Sequence, residues 1–445
     1  MLTVEDRPFI LKEKLSVEAG QFGAHALSRS GSSSVVERKL PKLDVAGSIP
    51  VSRSNFIFHF PSHFMFLRYL FFSLILLILV NCGPKQLSPQ SSLDTAGNHY
   101  RRGIDRFERG DLRAAQSEFE RGRALDPDYP GVFVGNALVA MGQQDFWRAR
   151  KDIEQAIHKD GNFIDAYIAL GRIVAEEGLE QNYPTKEWLK ESLAAYKKAK
   201  EKDPENPAIY YHQGLTYLKA LNLQEARAVL TQVLEINRGD WVTKAMLEIE
   251  KIQMVERASP GSLAGLKIGL VEELSRAELT VLLIEELKLS ELVDKRGGRE
   301  KLTGLRQSMT NPVPPSIPPD VAHSWARHWI EEILTLGVPG LEVNADHLFL
   351  PDEPVTRANY ALVNQGILIL LTGDASLATR YFGEPSRFPD VRSDFYAYNA
   401  IALSTERGFM AADRLTGRYR PHEPISGAEA LLIIRELQNA FRMEF

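Results

Sequence analysis

A repeat with a period of about 34 residues runs through the first half of the chain and limits what this part can fold into. Its small positions are Gly103, Ala137, Gly171 and Gly214, and its large positions are Phe119, Ile153, Tyr196 and Leu230. In each set one interval is longer than the other two, and the excess is the same in both sets. We interpret the excess as one insertion in the third unit, around residues 178–184. A repeat of this length is typical of units that stack in a row and bury each other's apolar faces.

Each unit has the pattern of two amphipathic helices. Gly110 and Asp111 separate the first pair. The Asp-Pro steps at 126–127 and 203–204 end units, because proline lacks an amide proton and clashes with the preceding turn. The period and the alternation of small and large residues resemble the tetratricopeptide repeat (TPR). We expect four copies and a last helix, near residues 96–129, 130–163, 164–206, 207–240 and 241–256.

The TPR resemblance implies a curved stack in which the first helix of each unit lines a concave groove. The residues that would face this groove are Tyr100, Ile104, Val134, Leu138, Ile168, Arg172, Tyr211 and Leu215. The set is mostly apolar with one cation, and it lacks the lysines and asparagines with which chaperone-binding TPR proteins hold an acidic C-terminus. We therefore expect a hydrophobic or mixed peptide as the ligand. The alternative is that several of these residues belong to the core within each repeat.

A second pattern follows the proline-rich segment 311–319, which is typical of a linker or semi-rigid spacer. Two stretches share one order: Pro-Asp-Val, an aromatic-rich helix, a glycine turn, an aromatic-x-Pro-x-x-Pro segment and a second helix. Pro354 and Pro424 occupy the same place in this order, as do Thr356 and Ser426. The second half of the chain is therefore a repeat of its own.

This order resembles the S-layer homology (SLH) domain of bacterial envelope proteins. Phe388, Asp390 and Val391 match its start in the last unit, and residues 320–321 match it in the middle unit. Residues 274–278 (Leu-Ser-Arg-Ala-Glu) match the second half of a third, degenerate unit. Three such units imply a helical, pseudo-threefold body.

One motif opens the second helix of each unit. The residues in N-cap positions, where a hydroxyl accepts a backbone amide proton, are Ser275, Thr356 and Ser426. Glu278 and Glu429 stand three positions after the first and last of them and would complete capping boxes. The sequence therefore predicts where these three helices begin.

The residue after each N-cap is the candidate for polymer binding. By the SLH resemblance, an arginine in this place helps to bind an anionic wall polysaccharide, and its guanidinium suits carboxylate or phosphate. The role falls on Arg276 and Arg357, whereas Gly427 stands there in the last unit, so at most two sites are equipped. The alternative is that both arginines are solvated or paired helix-start residues. Four aromatic residues are expected in the core rather than as sugar platforms: Trp325, Trp329, Phe395 and Tyr396.

The only cysteine of the chain, Cys82, follows the uninterrupted apolar run 69–80. A run this short suits the core of a signal peptide, whereas spanning a bilayer takes about 20 residues. Residues 79–82 (Leu-Val-Asn-Cys) resemble the lipobox of bacterial lipoproteins, which implies cleavage before Cys82 and lipid attached to it. Gly83, rather than an aspartate, resembles lipoproteins exported to the outer membrane. The alternative is a chance cysteine after a plain signal peptide.

The segment before this signal has no sustained apolar period. We expect Met65 to be the biological start and residues 1–64 to be a spurious extension; the alternative is a genuine disordered extension.

Composition and motifs argue against catalysis and against nucleic acid as a partner. The net charge of −5 provides no basic field for phosphates. No P-loop, G-x-G-x-x-G, H-E-x-x-H or G-x-S-x-G motif occurs in the sequence. His323 and His328 are five positions apart, which is poor spacing for two ligands on one helix face. We expect no cofactor, no metal site and no catalytic residue.

These patterns predict an all-α protein: a TPR α-solenoid followed by a helical SLH-like body, with a disordered N-terminus. The predicted segments are 1–64 (spurious or disordered), 65–81 (signal), 82–93 (tether), 94–257 (TPR solenoid with capping helix), 258–310 (degenerate SLH-like unit and linker), 311–372 and 386–441 (SLH-like units). We expect a non-enzymatic envelope lipoprotein, held by lipid in the outer membrane and facing the periplasm. Its TPR groove would bind an envelope protein, and its SLH-like body would bind peptidoglycan or a wall polysaccharide. The alternatives are a pilotin-like assembly lipoprotein for a secretion or pilus system and an enzyme acting on wall glycan.

Overall fold

The computed structural model describes residues 88–295 and 317–443. This part is helical, and its β-type pairing is limited to two isolated bridges, Ser275 with Pro354 and Thr356 with Pro424. The predicted all-α class is therefore confirmed. The predicted signal segment, Cys82 and the predicted N-terminal extension lie outside the described residues. Within the described ranges, no helix has both the length and the apolar character needed to cross a membrane.

The described residues divide into two compact units, and the first of them comprises residues 88–132. Its described part contains α1 (Ala96–Glu108) and α2 (Leu112–Leu125). The predicted break at Gly110 and Asp111 separates them, and the Asp111 carboxylate caps α2 by accepting the amide proton of Ala114. The two helices pack as one repeat because Gly103 leaves room for the ring of Phe119, which is fully buried.

The second compact unit takes in residues 133–445, and the division falls within α3. Its first helices are α3 (Pro130–Gly142), α4 (Phe146–Lys159), α5 (Ile164–Glu180), α6 (Thr185–Lys202), α7 (Pro207–Lys219), α8 (Leu223–Ile236) and α9 (Trp241–Ala258). The insertion inferred from the repeat lengthens α5 and α6 to 17 and 18 residues, where α7 and α8 have 13 and 14. The inserted residues therefore extend two helices instead of forming a long loop.

The small and large positions of the repeat meet within the helix pairs in which the small residue is glycine. A Cβ added to Gly171 would lie 2.6 Å from the ring of Tyr196, and one added to Gly214 would lie 2.6 Å from Leu230. Tyr196 and Leu230 are completely buried at these crossings. The two helices of a pair approach closely only because the first has no side chain at that point.

The helices that follow form a C-terminal body. They are α10 (Leu263–Ile268), α11 (Arg276–Glu285), α12 (Leu289–Lys295), α13 (Arg327–Leu336), α14 (Arg357–Thr372), α15 (Tyr398–Glu406) and α16 (Gly427–Met443), with a 3-10 turn at Ala375–Ala378. The N-caps at Ser275 and Thr356 are confirmed, and Ser275 forms the predicted capping box with Glu278. Ser426 and Glu429 exchange the same pair of hydrogen bonds at the start of α16.

A ring of three backbone hydrogen bonds lies at the centre of the body. The amide of Leu274 donates to the carbonyl of Ile425 (2.8 Å), that of Val355 to Leu274 (2.8 Å), and that of Ile425 to Val355 (3.0 Å). Each of these residues directly precedes an N-cap and is buried. The three motifs therefore meet around one centre, which gives the body its pseudo-threefold arrangement.

The capping helix α9 is joined to the body through α16. The Arg435 guanidinium donates to the carbonyl oxygens of Ala258 (2.9 Å) and Ser259 (3.3 Å), and Val255 of α9 belongs to the same apolar core as Leu437 of α16. The boundary expected at residue 257 therefore does not separate two compact units.

Candidate functional site

The residues predicted to face the TPR groove separate into two groups. In the second compact unit, Val134, Leu138 and Ile168 are only 1%, 2% and 5% exposed. The prediction that these three residues lie on the groove surface is therefore wrong. Their burial agrees with the alternative drawn from the sequence, in which such residues belong to the core within the repeats. Arg172, Tyr211 and Leu215 are partly exposed and can reach a ligand. In the first compact unit Tyr100 is buried against Phe119 and Tyr129, and Ile104 is partly exposed.

A cluster of aromatic and cationic side chains lies on α5 and α7, the first helices of two successive repeats, and on the capping helix α9. We call it the aromatic–cation cluster; its members are Arg172, Tyr211, His212, Lys219, Trp241 and Lys244. The rings of Tyr211, His212 and Trp241 contact one another, with centroids 5.3–5.6 Å apart. The ammonium of Lys244 lies 4.8 Å from the centre of the Trp241 ring. Lys219 of α7 pairs with Glu176 of α5.

Three cations act on the imidazole of this cluster, and one of them, Lys219, is paired with Glu176. Burial lowers the pKa of His212 well below 6.5, and Arg172, Lys244 and Lys219 lower it further. Its imidazole is therefore neutral at neutral pH. Burial also raises the pKa of Tyr196 to about 12, and its hydroxyl donates to the His212 carbonyl. Sequence reasoning identified Arg172 but missed the two lysines, because they come from different helices and only the packing brings them together.

Arg276, the first predicted polymer-binding residue, bridges two units of the body. Its Nε donates to the carbonyl of Phe349 (2.8 Å), Nη1 to that of Gly340 (3.2 Å), and Nη2 to that of Glu342 (2.9 Å). The guanidinium also lies over the Phe349 ring, 4.7 Å from its centre. Burial lowers the pKa of this group. The side chain therefore positions the loop of the next unit, and polymer binding at Arg276 stays a prediction.

Arg357 makes the equivalent bridge to the last unit. Its Nε donates to the Tyr419 carbonyl (2.8 Å), Nη2 to that of Ala411 (2.7 Å), and Nη1 to the Glu429 carboxylate (3.2 Å). The guanidinium lies over the Tyr419 ring, 4.9 Å from its centre. Both arginines are thus partnered helix-start residues, as in the alternative drawn from the sequence.

Arg357 also lines a polar cleft of about 210 Å³. The charged side chains that line it are Arg357, Asp413, Arg418, Arg420, Glu423 and Glu429. Arg420 pairs with Asp413 (3.2 Å) and Glu423 (3.6 Å). Arg418 is exposed and forms no ion pair within 4.0 Å among the described residues, and its positive charge helps to lower the pKa of Asp390. The cleft therefore offers both donors and acceptors, as a ligand with hydroxyl and acidic groups requires.

In the last unit of the body, the position that corresponds to Arg276 and Arg357 has no room for an arginine side chain. A Cβ added to Gly427 would lie 1.7 Å from the carbonyl oxygen of Ile268, and the Gly427 amide donates to the Val271 carbonyl (3.0 Å). The end of α10 and the residues after it occupy the space that an arginine side chain would need. The sequence predicted the loss of a site here, and the structure supplies its physical cause.

Not all of the four aromatic residues expected in the core are buried. Trp329 is buried, and Trp325 and Phe395 pack against the core with part of their surface exposed. The prediction was wrong for Tyr396, which is 65% exposed. Its hydroxyl donates to the Asn359 side chain (3.2 Å) near the start of α14, and its ring lies against Phe395. In residues 88–295 and 317–443, no three His, Cys, Asp or Glu side chains are grouped so as to hold a metal ion.

The fold defines an all-helical protein with repeated helix pairs. A family model described as a tetratricopeptide repeat matches residues 189–240, which confirms the predicted repeats there. No curated protein sequence matches the chain.

Three solved structures are similar to part of this chain. A thermophilic TPR protein of Thermus thermophilus is 16% identical, with 43% of this chain and 91% of that chain covered and a TM-score of 0.32. Yeast Tom70 is 16% identical, with 38% and 42% covered and a TM-score of 0.26. PilF of Pseudomonas aeruginosa is 18% identical, with 44% and 84% covered and a TM-score of 0.29. The repeats make this chain a TPR scaffold for protein–protein interaction.

Proposed function

We propose that this protein is a non-enzymatic lipoprotein of the bacterial cell envelope that attaches a partner protein to the wall. The TPR groove holds the partner, and the C-terminal body binds peptidoglycan or an associated anionic polysaccharide. The cleft beside Arg357 is the observation that carries the second part. It combines arginine and carboxylate side chains in a concave site, and both kinds of group hydrogen-bond well to sugar hydroxyl and acid groups.

The polymer site is best tested at Arg418, because Arg276 and Arg357 hold loops together. Replacing Arg418 with serine removes an exposed guanidinium that lines the cleft and holds no loop through an ion pair within 4.0 Å in the described ranges. We expect the fraction of protein that pellets with purified sacculi to fall at least threefold. Arg392→Ser is the matched control, since Arg392 is an exposed arginine of the same body that pairs with Asp394 and does not line the cleft.

The sacculus experiment also separates the alternatives. Equal pelleting of the Arg418→Ser variant and the wild type would remove this cleft from the polymer site. If the wild type itself never pellets, and the TPR groove captures a component of a secretion or pilus system, the pilotin-like alternative replaces wall attachment.

The membrane anchor is proposed from Cys82, which lies outside the described residues. We expect radiolabelled palmitate to be incorporated into the wild-type chain in bacterial cells and to be absent from a Cys82→Ser variant, because this is the only thiol. The variant should then leave the membrane fraction, since a lipid chain holds a protein by burying methylenes at about 0.8 kcal/mol each. Label retained in Cys82→Ser would contradict the anchor.

A further inference from the structure

The aromatic–cation cluster is the strongest unassigned feature of the described residues. The chain as a whole has a net charge of −5, yet three cations act on one buried imidazole in this cluster. Its members come from α5, α7 and α9, and the first helix of one repeat contacts that of the next. A ligand lying along these helices would meet Arg172, Tyr211 and Lys244 in succession. This arrangement differs from the apolar groove with one cation that the sequence predicted.

We propose that the aromatic–cation cluster binds an acidic peptide segment of the partner protein, in which aspartate or glutamate side chains flank an aromatic or aliphatic residue. The proposal rests on the groove being the peptide site of the proposed function, and it specifies the chemistry of the partner. It replaces the hydrophobic or mixed peptide expected from the sequence.

The charges of the cluster favour a ligand with carboxylates. The charged groups that act on the His212 imidazole, Arg172, Lys219 and Lys244, are all cations. Lys219 pairs with Glu176 of α5, whereas Lys244 is exposed on α9 and can turn toward a ligand. A peptide carboxylate beside these groups would gain a charge-assisted hydrogen bond, which is roughly twice as strong as a neutral one.

The aromatic rings supply the apolar part of the site. Tyr211 and Trp241 are partly exposed, and their centroids are 5.3 Å apart, so together they offer an apolar surface to one aromatic or aliphatic side chain. His212 is 6% exposed behind them and supports both rings. Tyrosine and tryptophan in such partly buried places are the residues that most often dominate binding energy. Because Lys244 lies beside this apolar surface, the cluster selects a peptide in which an acidic residue lies next to an aromatic or aliphatic one.

The experiment is a selection of displayed random dodecapeptides on the full chain in detergent micelles. Under the proposal, the recovered peptides are enriched in aspartate and glutamate next to an aromatic or aliphatic residue. A synthetic copy of the most frequent peptide should bind Lys244→Glu at least tenfold more weakly than wild type, and its affinity should fall as salt is raised. Lys198→Glu, a reversal at an exposed lysine of α6, is the matched control and should bind as wild type does.

The outcomes distinguish this proposal from the function on which it rests. Recovered peptides that are uncharged or basic, and that lose binding in Tyr211→Ala but not in Lys244→Glu, would overturn the acidic partner while the groove remains a peptide site. If selection recovers no peptide that binds the wild type more tightly than Tyr211→Ala, the groove is not a peptide site and both proposals fail.

Discussion

Replacing Gly427 with alanine is expected to destabilise the C-terminal body by about 3 kcal/mol, the upper range for a group forced into a packed site. The added methyl group would lie 1.7 Å from the carbonyl oxygen of Ile268, which is backbone and cannot rotate away. In an open helical position the same substitution stabilises by up to about 1 kcal/mol. A loss of stability, instead of a gain, would therefore show that Gly427 lies against the backbone of Ile268.

The measurement is denaturant unfolding of the full chain, with hydrogen exchange to locate the change. We expect faster exchange in α16 and in the segment after α10, because these two meet at Gly427. Gly97→Ala is the matched control: a Cβ on this α1 residue would find only ordinary contacts with Tyr129, 3.6 Å away. A Gly427→Ala protein as stable as wild type would show that Ile268 does not lie against this residue.

Replacing Arg276 with methionine is expected to cost about 3 kcal/mol, because charge-assisted hydrogen bonds contribute about 1.5–3 kcal/mol each and part of that loss is recovered from water. The variant keeps an unbranched stem over the Phe349 ring but loses all three bonds to the carbonyls of the next unit. The loop around residues 340–349 should exchange its amide protons faster.

This variant separates a positioning role from a direct role in binding. The control is Arg418→Met, which removes an exposed arginine and should change the free energy of unfolding by less than about 0.5 kcal/mol. We expect Arg276→Met to lower stability, and Arg418→Met to lower only pelleting with sacculi. If Arg276→Met were as stable as wild type and failed to pellet, Arg276 would be a polymer-binding residue, as the SLH resemblance implies.

The sequence predicted well wherever the signal is local. The end of α2 before Asp126-Pro127 and the start of α11 at Ser275 depend on residues within one helical turn, and both occur as expected. The recurrence of small positions such as Gly171 and large positions such as Tyr196 could also be read from the chain, because the repeat provides several copies of each. That the two meet within one helix pair is known only from the structure.

Prediction was weaker for side-chain exposure. Val134 and Leu138 stand in groove positions of the repeat and are buried, whereas Tyr396 was expected in the core and is exposed. A residue's place on a helix fixes its direction, but the neighbouring elements decide whether anything covers it. Lys244 was missed for the same reason, since it enters the groove from the capping helix and not from a repeat.

By itself the sequence determined that this chain is helical, that its first half is a regular repeat of helix pairs, and where its helices are capped, because each of these depends on nearby residues or on recurrence. Only the tertiary structure decided that Arg276 and Arg357 hold neighbouring loops and that Gly427 stands where a third arginine would not fit. It also decided which cations meet beside Trp241. Arg276 bonds a carbonyl 66 residues away and Arg435 one 177 residues away. Contacts over such distances are set by packing of the whole unit, and no local pattern encodes them.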